Sequence, residues 1–191
     1  DETEFARTYT FHFADAGVYL FENYFRYCVV DGAIQRDFGG YNVINVTQDI
    51  KYTGGTIQTA ISDANSGDEI YVGVGTFNES LTIDKSITLV GSYFATESSP
   101  YHTVLDGQGL GNEPGVQIAA GVSDVTITGF EIRNFDLDGI VAQGAGINDV
   151  TIEGNYIHDV QAYGIRGNVD GTQTLSGWMV TDNTIEAFVD K

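Results

Sequence analysis

The residues best suited to acid–base chemistry follow two strand-like segments in the second half of the chain. Arg133 and His158 occupy the same position, directly after the isoleucine that ends each segment, and Asp159 comes next. A histidine beside a carboxylate can transfer protons near neutral pH, and an arginine can stabilise a developing anion. Arg133, His158 and Asp159 are therefore the catalytic candidates. Polar residues are also expected at outward positions of any soluble protein, so both interpretations stay open.

Two further carboxylates, Asp136 and Asp138, lie in the turn beyond Arg133. Carboxylate oxygens are typical ligands of Ca²⁺, so calcium is the candidate cofactor and these two residues are its candidate ligands. The three histidines show no spacing typical of a zinc site. The sequence makes no other cofactor prediction.

Two N-x-Ser/Thr triplets begin at Asn45 and Asn78. If the protein is exported by a eukaryote or an archaeon, both are candidates for N-glycosylation. Such triplets also arise by chance in a chain rich in Asn, Ser and Thr.

The charge balance is strongly acidic. Eight Lys and Arg residues stand against 27 Asp and Glu residues, a formal net charge of −19 at pH 7. Such a surface repels phosphate backbones and anionic lipids, so we expect no nucleic-acid partner. No segment approaches the roughly 18 apolar residues of a membrane span, so we expect no membrane insertion. The acidity serves solubility, or suits an extracellular, cell-surface or periplasmic location.

The elements that must position these residues are short strands in an internal repeat. Segments 125–132, 150–157 and 178–185 align, which gives a period of about 25 residues with Gly, Asn and Asp between the strands. The Leu-x-x-Leu-x-Leu frame of leucine-rich repeats is absent, so the repeat predicts an all-β parallel β-helix, a solenoid of stacked coils.

The repeat also predicts which residues stack along the solenoid. Asn155 and Asn183 occupy the same slot, two residues before the last isoleucine, and should form a ladder of hydrogen bonds at a tight turn. Apolar ladders should fill the interior. Their members are Ile127, Ile152 and Val180 in one ladder, and Ile132, Ile157 and Ile185 in the other.

A single amphipathic helix is predicted over residues 56–64. Its apolar residues fall at 57, 60, 61 and 64, Thr56 is a suitable N-cap, and 65–67 (Asn-Ser-Gly) should end it. The sequences that follow are SGDEIYV at 66–72, GTFNESLTI at 75–83 and KSITLVG at 85–91. Together with the helix, they closely resemble the opening of right-handed parallel β-helix proteins of the pectate lyase-like superfamily. The resemblance implies a right-handed β-helix with a capping helix, and it does not fix the reaction.

The N-terminal residues have a different pattern. Alternating segments separated by turns with glycine, among them GVYLF at 17–21 and DGAI at 31–34, predict a small antiparallel β-sandwich-like unit. This pattern resembles the end of a cupredoxin. Copper-binding cupredoxins carry Cys, His and often Met ligands in this region, whereas here Cys28 has no nearby His or Met. We therefore expect a copper-free sandwich remnant or a capping hairpin.

These patterns predict three parts: a β-sandwich-like, cupredoxin-like remnant at 1–38, a linker at 39–55 in which 41–46 can form a strand, and a parallel β-helix at 56–191. The coil that begins near Ile185 lacks the Gly-Ile pair that would complete it, so we expect the solenoid to be truncated at its C-terminal end. The open strand edges should be covered by further coils or by other protein chains.

Three functions remain open from the sequence. The first is a structural, adhesive or assembly role outside the cell or at its surface, with polysaccharide as a candidate ligand. The second is a lyase or hydrolase that acts on an acidic polysaccharide, in which an arginine beside carboxylates would handle the proton of a uronic acid. The third, which follows from the cupredoxin resemblance, is a periplasmic copper-handling role.

Overall fold

The computed structural model describes residues 17–21, 25–30, 33–37, 43–52, 54, 56–92, 103–168 and 175–186, the first three ranges by their backbone alone. Three strands near the N-terminus form an antiparallel sheet in the order β1-β2-β3. They are β1 (Gly17–Phe21), β2 (Phe25–Val30) and β3 (Ala33–Asp37). The Cys28 side chain lies outside the part of the chain that the structure describes. The domain boundary at 38 stays a prediction.

Residues within the predicted linker contribute two strands to the solenoid. β4 (Val43–Asn45) and β5 (Ile50–Tyr52) form a hairpin, and β4 pairs antiparallel with β6 (Asp68–Val72). Asn45 is fully buried, and its Nδ2 donates to Asp68 Oδ2 at 2.8 Å. This contact ties the hairpin to the first strand of the solenoid, so 43–52 is part of the packed structure.

The predicted helix is confirmed as α1 (Ile57–Asp63) with Thr56 as its N-cap. Thr56 Oγ1 accepts a hydrogen bond from the backbone N–H of Thr59 at 3.0 Å. The Glu79 carboxylate accepts two more, from the N–H groups of Ile57 at 2.9 Å and Gln58 at 3.1 Å. These bonds satisfy amide groups that would otherwise lack partners at the helix start. Glu79 belongs to the first coil of the solenoid, so its carboxylate joins the helix to that coil.

The solenoid is confirmed as a parallel β-helix of about four turns. Each of the first four coils gives one strand to each of three sheets, the last described coil gives strands to two of them, and successive coils pair in parallel. In chain order the remaining strands are β7 (Gly75–Phe77), β8 (Leu81–Ile83), β9 (Ile87–Val90), β10 (Thr103–Asp106), β11 (Val116–Ile118), β12 (Ser123–Thr128), β13 (Glu131–Arg133), β14 (Ile140–Gln143), β15 (Asn148–Glu153), β16 (Tyr156–His158), β17 (Ile165–Asn168), β18 (Met179–Thr181) and β19 (Thr184–Ile185).

The three sheets differ in which strands they contain. Sheet I has the order β18-β15-β12-β9-β6-β4-β5, sheet II the order β19-β16-β13-β10-β7, and sheet III the order β17-β14-β11-β8. A tight turn joins sheet I to sheet II in the third, fourth and fifth coils, with Gly129, Gly154 and Asp182 at positive φ. Left-handed backbone there favours Gly or Asp over larger residues.

The predicted apolar ladders form the core. Ile127 pairs with Ile152, which pairs with Val180, in sheet I. Ile132 pairs with Ile157, which pairs with Ile185, in sheet II. The four isoleucines below the last coil are fully buried, and each contributes about 2 kcal/mol to folding. Val180 and Ile185 are 48% and 46% exposed, because no further coil covers them among the described residues.

The asparagine ladder lies in the tight turn between sheets I and II. Asn155 Oδ1 accepts from the Phe130 N–H at 3.0 Å, and Asn155 Nδ2 donates to the Ile127 carbonyl at 3.1 Å. Asn183 repeats the pattern one coil on, since its Oδ1 accepts from the Asn155 N–H at 3.0 Å. The side chains therefore satisfy turn groups that the sheets leave unpaired. No helix in the described part of the chain is long and apolar enough to cross a membrane.

Candidate functional site

The catalytic candidates lie on the outer face of sheet II. Strand register pairs Arg133 of β13 with His158 of β16, and Asp106 of β10 with Arg133. Because alternate strand residues point to opposite faces, Glu131 faces outward with Arg133, while Ile132 between them is buried inside. Three adjacent coils thus place their charged residues in one patch.

Hydrogen bonds join these residues into a continuous chain, which we call the sheet II network: Asp106, Glu131, Arg133, His158 and Asp159. Arg133 Nε lies 3.0 Å from Asp106 Oδ2, and Arg133 Nη1 lies 2.8 Å from Glu131 Oε1. The same oxygen lies 3.3 Å from His158 Nε2, and His158 Nδ1 lies 2.8 Å from Asp159 Oδ2. Both ring nitrogens of His158 therefore face carboxylates, and the network crosses three coils.

Neighbouring groups hold the network in place. Asp106 Oδ1 accepts hydrogen bonds from Asn134 Nδ2 and from the Gln108 N–H, both at 3.0 Å. The ring of His158 stacks on Tyr156, with centroids 4.3 Å apart. Asp106 thus accepts three hydrogen bonds in all, and His158 is held by its ring face as well as by both nitrogens.

The electrostatics of the network favour its charged forms. The hydrogen bond from His158 to Glu131 and the second one to Asp159 raise the histidine pKa above its ordinary value, although burial acts in the opposite direction. Burial would raise the pKa of Asp106, but its bonds from Asn134, the Gln108 amide and Arg133 outweigh this and lower it. Burial would lower the pKa of Arg133, but the bond to Asp106 and the charge of Glu131 raise it. The imidazolium form of His158 is therefore stabilised relative to the neutral ring.

A shallow cleft of about 170 Å³ opens beside the network. Its walls are the turns 107–109, 134–136 and 159–161, which leave sheet II toward sheet III in three successive coils. Asn134 and Asp159 have φ of 59° and 50°, a left-handed conformation that Asn and Asp tolerate better than most residues. This geometry is a structural reason for their residue types. We call this feature the turn cleft.

The two candidate calcium ligands, Asp138 and Asp136, contact different residues. Asp138 is fully buried, and its Oδ2 lies 2.5 Å from Arg166 Nη2 while its Oδ1 accepts from the Tyr163 N–H at 3.2 Å. Asp136 is exposed at the turn cleft and accepts a hydrogen bond from Gln161 Nε2. Within the described ranges, no three His, Cys, Asp or Glu side chains come together as a ligand set. Calcium binding here stays a prediction.

The two sequon asparagines both have structural partners. Asn45 is fully buried against Asp68, so a glycan at Asn45 is incompatible with this fold. Asn78 is exposed, but its Nδ2 donates to the carbonyls of Asp106 at 2.7 Å and Gln108 at 3.0 Å in the next coil. A glycan on that nitrogen would displace at least one of these bonds. Glycosylation at Asn78 stays a prediction.

Sequence reasoning missed two members of the network. Glu131 stands two residues before Arg133, and period-two alternation along the strand would have placed both on the same face. Asp106 lies outside the three aligned repeat segments, so no shared repeat position marks it. Its place beside Arg133 depends on the pairing of β10 with β13, and the long spacing in sequence between β9 and β10 hides this register.

Comparison with known proteins gives no assignment: no protein-family model, no curated protein and no solved structure matches the chain.

Proposed function

We propose that this protein is a structural β-solenoid module, with an adhesive or assembly role outside the cell or at its surface, and that the sheet II network stabilises the stacking of coils. The observation that carries this proposal is the mutual engagement of the network. Each of its two basic groups is hydrogen-bonded to two carboxylates of the same network.

Acid–base catalysis requires a group that can accept a proton from a substrate or donate one to it. His158 has both nitrogens occupied, and a substrate would have to break one of those bonds to reach the ring. Arg133 is likewise held by Asp106 and Glu131, which are each 8% exposed. Two of these contacts, Arg133 with Asp106 and His158 with Glu131, link strands of adjacent coils, as expected of groups that fix the register of a sheet.

An assembly role is supported by the last described coil. Met179, Val180 and Ile185 are 52%, 48% and 46% exposed, although Ile152 and Ile157, the partners of Val180 and Ile185 one coil below, are fully buried. The strands β18 and β19 stand at the edges of sheets I and II. An exposed sheet edge with apolar side chains is a surface for other β-structure, which we propose is a further coil or another protein chain.

A second candidate, a lyase or hydrolase for acidic polysaccharides, is favoured by one observation. Asp159 is both a member of the network and a wall residue of the turn cleft, where its side chain is about half exposed. A substrate in the cleft would therefore meet a carboxylate backed by a histidine.

Turnover of acidic polysaccharides decides between the two. The purified chain is incubated with polygalacturonate and alginate, with Ca²⁺ or with a chelator, and products are followed by ultraviolet absorbance for unsaturated sugars and by reducing ends. The structural proposal expects no turnover under any of these conditions. Turnover that His158→Gln and Asp159→Asn abolish, and that the distant Glu153→Gln leaves intact, would replace it with the enzymatic function.

A further inference from the structure

His158 stands between carboxylates of two coils, one coil below the exposed edge of β19. Its Nε2 faces Glu131 Oε1 at 3.3 Å in the third coil, and its Nδ1 faces Asp159 Oδ2 at 2.8 Å in its own coil. The imidazolium ring has an N–H on both nitrogens, whereas the neutral ring has only one. The neutral ring therefore leaves one of the two carboxylates facing a nitrogen lone pair.

The contact that the neutral ring gives up is the one between coils. Asp159 follows His158 directly in the chain and makes the shorter of the two contacts, so the remaining N–H stays with Asp159. Glu131, which Arg133 also holds at 2.8 Å, then faces the bare Nε2 nitrogen. Stacking on Tyr156, with ring centroids 4.3 Å apart, holds the ring beside both carboxylates. Loss of the proton therefore weakens the link between the third and fourth coils.

The charges around the ring act in the same direction. Within the described ranges, the charged and titratable groups beside His158 are Glu131 and Arg133 on β13, Tyr156 and Asp159 on its own strand and turn, and Glu186 directly after β19. Deprotonation of His158 leaves Arg133 as the only cation in this set, so repulsion among the carboxylates increases. Folding raises the pKa of His158, so the link is complete below about pH 6.5 and is lost as pH rises through the folded-state pKa.

We propose that His158 is a pH-sensitive latch between the third and fourth coils: the protonated ring links Glu131 to Asp159, and the neutral ring releases Glu131. Release makes the opening of β16, and of β19 above it, less costly, while the first coil stays closed. Through β19 the latch regulates the edge at which we propose that other β-structure attaches, and this use rests on the proposed assembly role. The latch itself is a property of the isolated chain.

The test is amide hydrogen exchange of the ¹⁵N-labelled full chain from pH 5.5 to pH 8.5, with each rate divided by the intrinsic rate of an unstructured amide at that pH. The reporters are the N–H groups of Tyr156 and Glu186, each of which donates to a carbonyl of the coil before it. Their protection should fall about fivefold as His158 loses its proton, the loss of one partly exposed charge contact. The N–H of Leu81 in the first coil should keep its protection throughout. The midpoint of the fall should match the titration of the His158 ring observed by NMR.

His158→Gln removes the titrating ring, so the protection of both reporters should no longer depend on pH. The matched control replaces the two other histidines of the sequence, His12→Gln with His102→Gln, and retains His158. It should keep the fall in protection unchanged.

Asp159→Asn separates a latch from a merely structural histidine. An asparagine amide can donate to the Nδ1 lone pair, so the neutral ring can then direct its single N–H from Nε2 to Glu131 and keep the link between coils. The fall in protection should therefore disappear, although His158 still titrates. Asn134 occupies the corresponding place one coil earlier with φ of 59°, so this substitution is compatible with the fold.

Constant protection of the reporters in wild type, a fall that persists in His158→Gln or in Asp159→Asn, or an equal fall at Leu81 would overturn the latch. Its failure would leave the assembly proposal standing, because the edge of β18 and β19 would then be presented at every pH. If the chain instead attaches to no other β-structure, the assembly proposal fails while the exchange measurement still detects the latch.

Discussion

Replacing Asn155 with alanine is the sharpest test of what holds the coils together. Asn155 is 1% exposed, and its side chain accepts from the Phe130 N–H and donates to the carbonyls of Ile127 and Glu153. Alanine would remove the partner of the buried Phe130 N–H and of the buried Ile127 carbonyl, which water cannot reach readily. Each unsatisfied buried group costs about 1–3 kcal/mol, so we expect the free energy of unfolding to fall by about 3 kcal/mol or more.

Asn183 provides the comparison, because it makes the same bonds in the exposed last coil, to the Asn155 N–H and to the carbonyls of Ile152 and Thr181. Water can replace its side chain there, so Asn183→Ala should cost about 1 kcal/mol. Urea unfolding followed by far-ultraviolet circular dichroism measures both values. If the two variants lost equal stability, or if Asn155→Ala lost less than about 1 kcal/mol, the ladder would not be the device that satisfies the turn.

The remaining predictions concern single charged groups. Folding raises the pKa of His158, so its contribution to stability should be complete below about pH 6.5 and be lost as pH rises through the folded-state pKa. The difference in free energy of unfolding between wild type and His158→Gln should therefore shrink from pH 5 to pH 9. A difference that grows over this range would contradict the assignment. Folding lowers the pKa of Asp106, so wild type should be more stable than Asp106→Asn above about pH 3.9. This difference in the free energy of unfolding, measured with urea, should disappear as pH falls through the folded-state pKa. Glu79→Gln should weaken the cap of α1 and lower the free energy of unfolding by about 1 kcal/mol. The control is Glu153→Gln at an exposed strand position, which should cost less than about 0.5 kcal/mol. Equal losses of stability in thermal unfolding would refute the capping role of Glu79.

The repeat made the core predictable and left much of the site hidden. The apolar ladders through Ile127 and Ile132 and the slot shared by Asn155 and Asn183 follow from spacing alone, because each coil repeats the same inward positions. The helix at 57–63 follows from its apolar stripe and its threonine cap. All of these features depend on residues close in sequence or on one constant period.

Features that depend on irregular spacing could not be found this way. The pairing of β4 with β6 joins Asn45 to Asp68 across the helix, and three-residue strands carry too weak a pattern to predict that contact. The network likewise needs the register of β10 against β13, set by packing and not by a fixed period. Alternation along the strand places Glu131 on the same face as Arg133, but its contact with His158 depends on the pairing of β13 with β16.

The helix and hairpin at the start of the solenoid make its two described ends different. α1 and β4 pack against the first coil, whereas the last described coil exposes Met179, Val180 and Ile185. In a stack where each coil contacts only its neighbours, stability is a sum of intrinsic and nearest-neighbour terms. Where neither a further coil nor another chain covers β18 and β19, opening costs least there and increases toward α1. The solenoid should then open progressively from that side, and the covered first coil should open last.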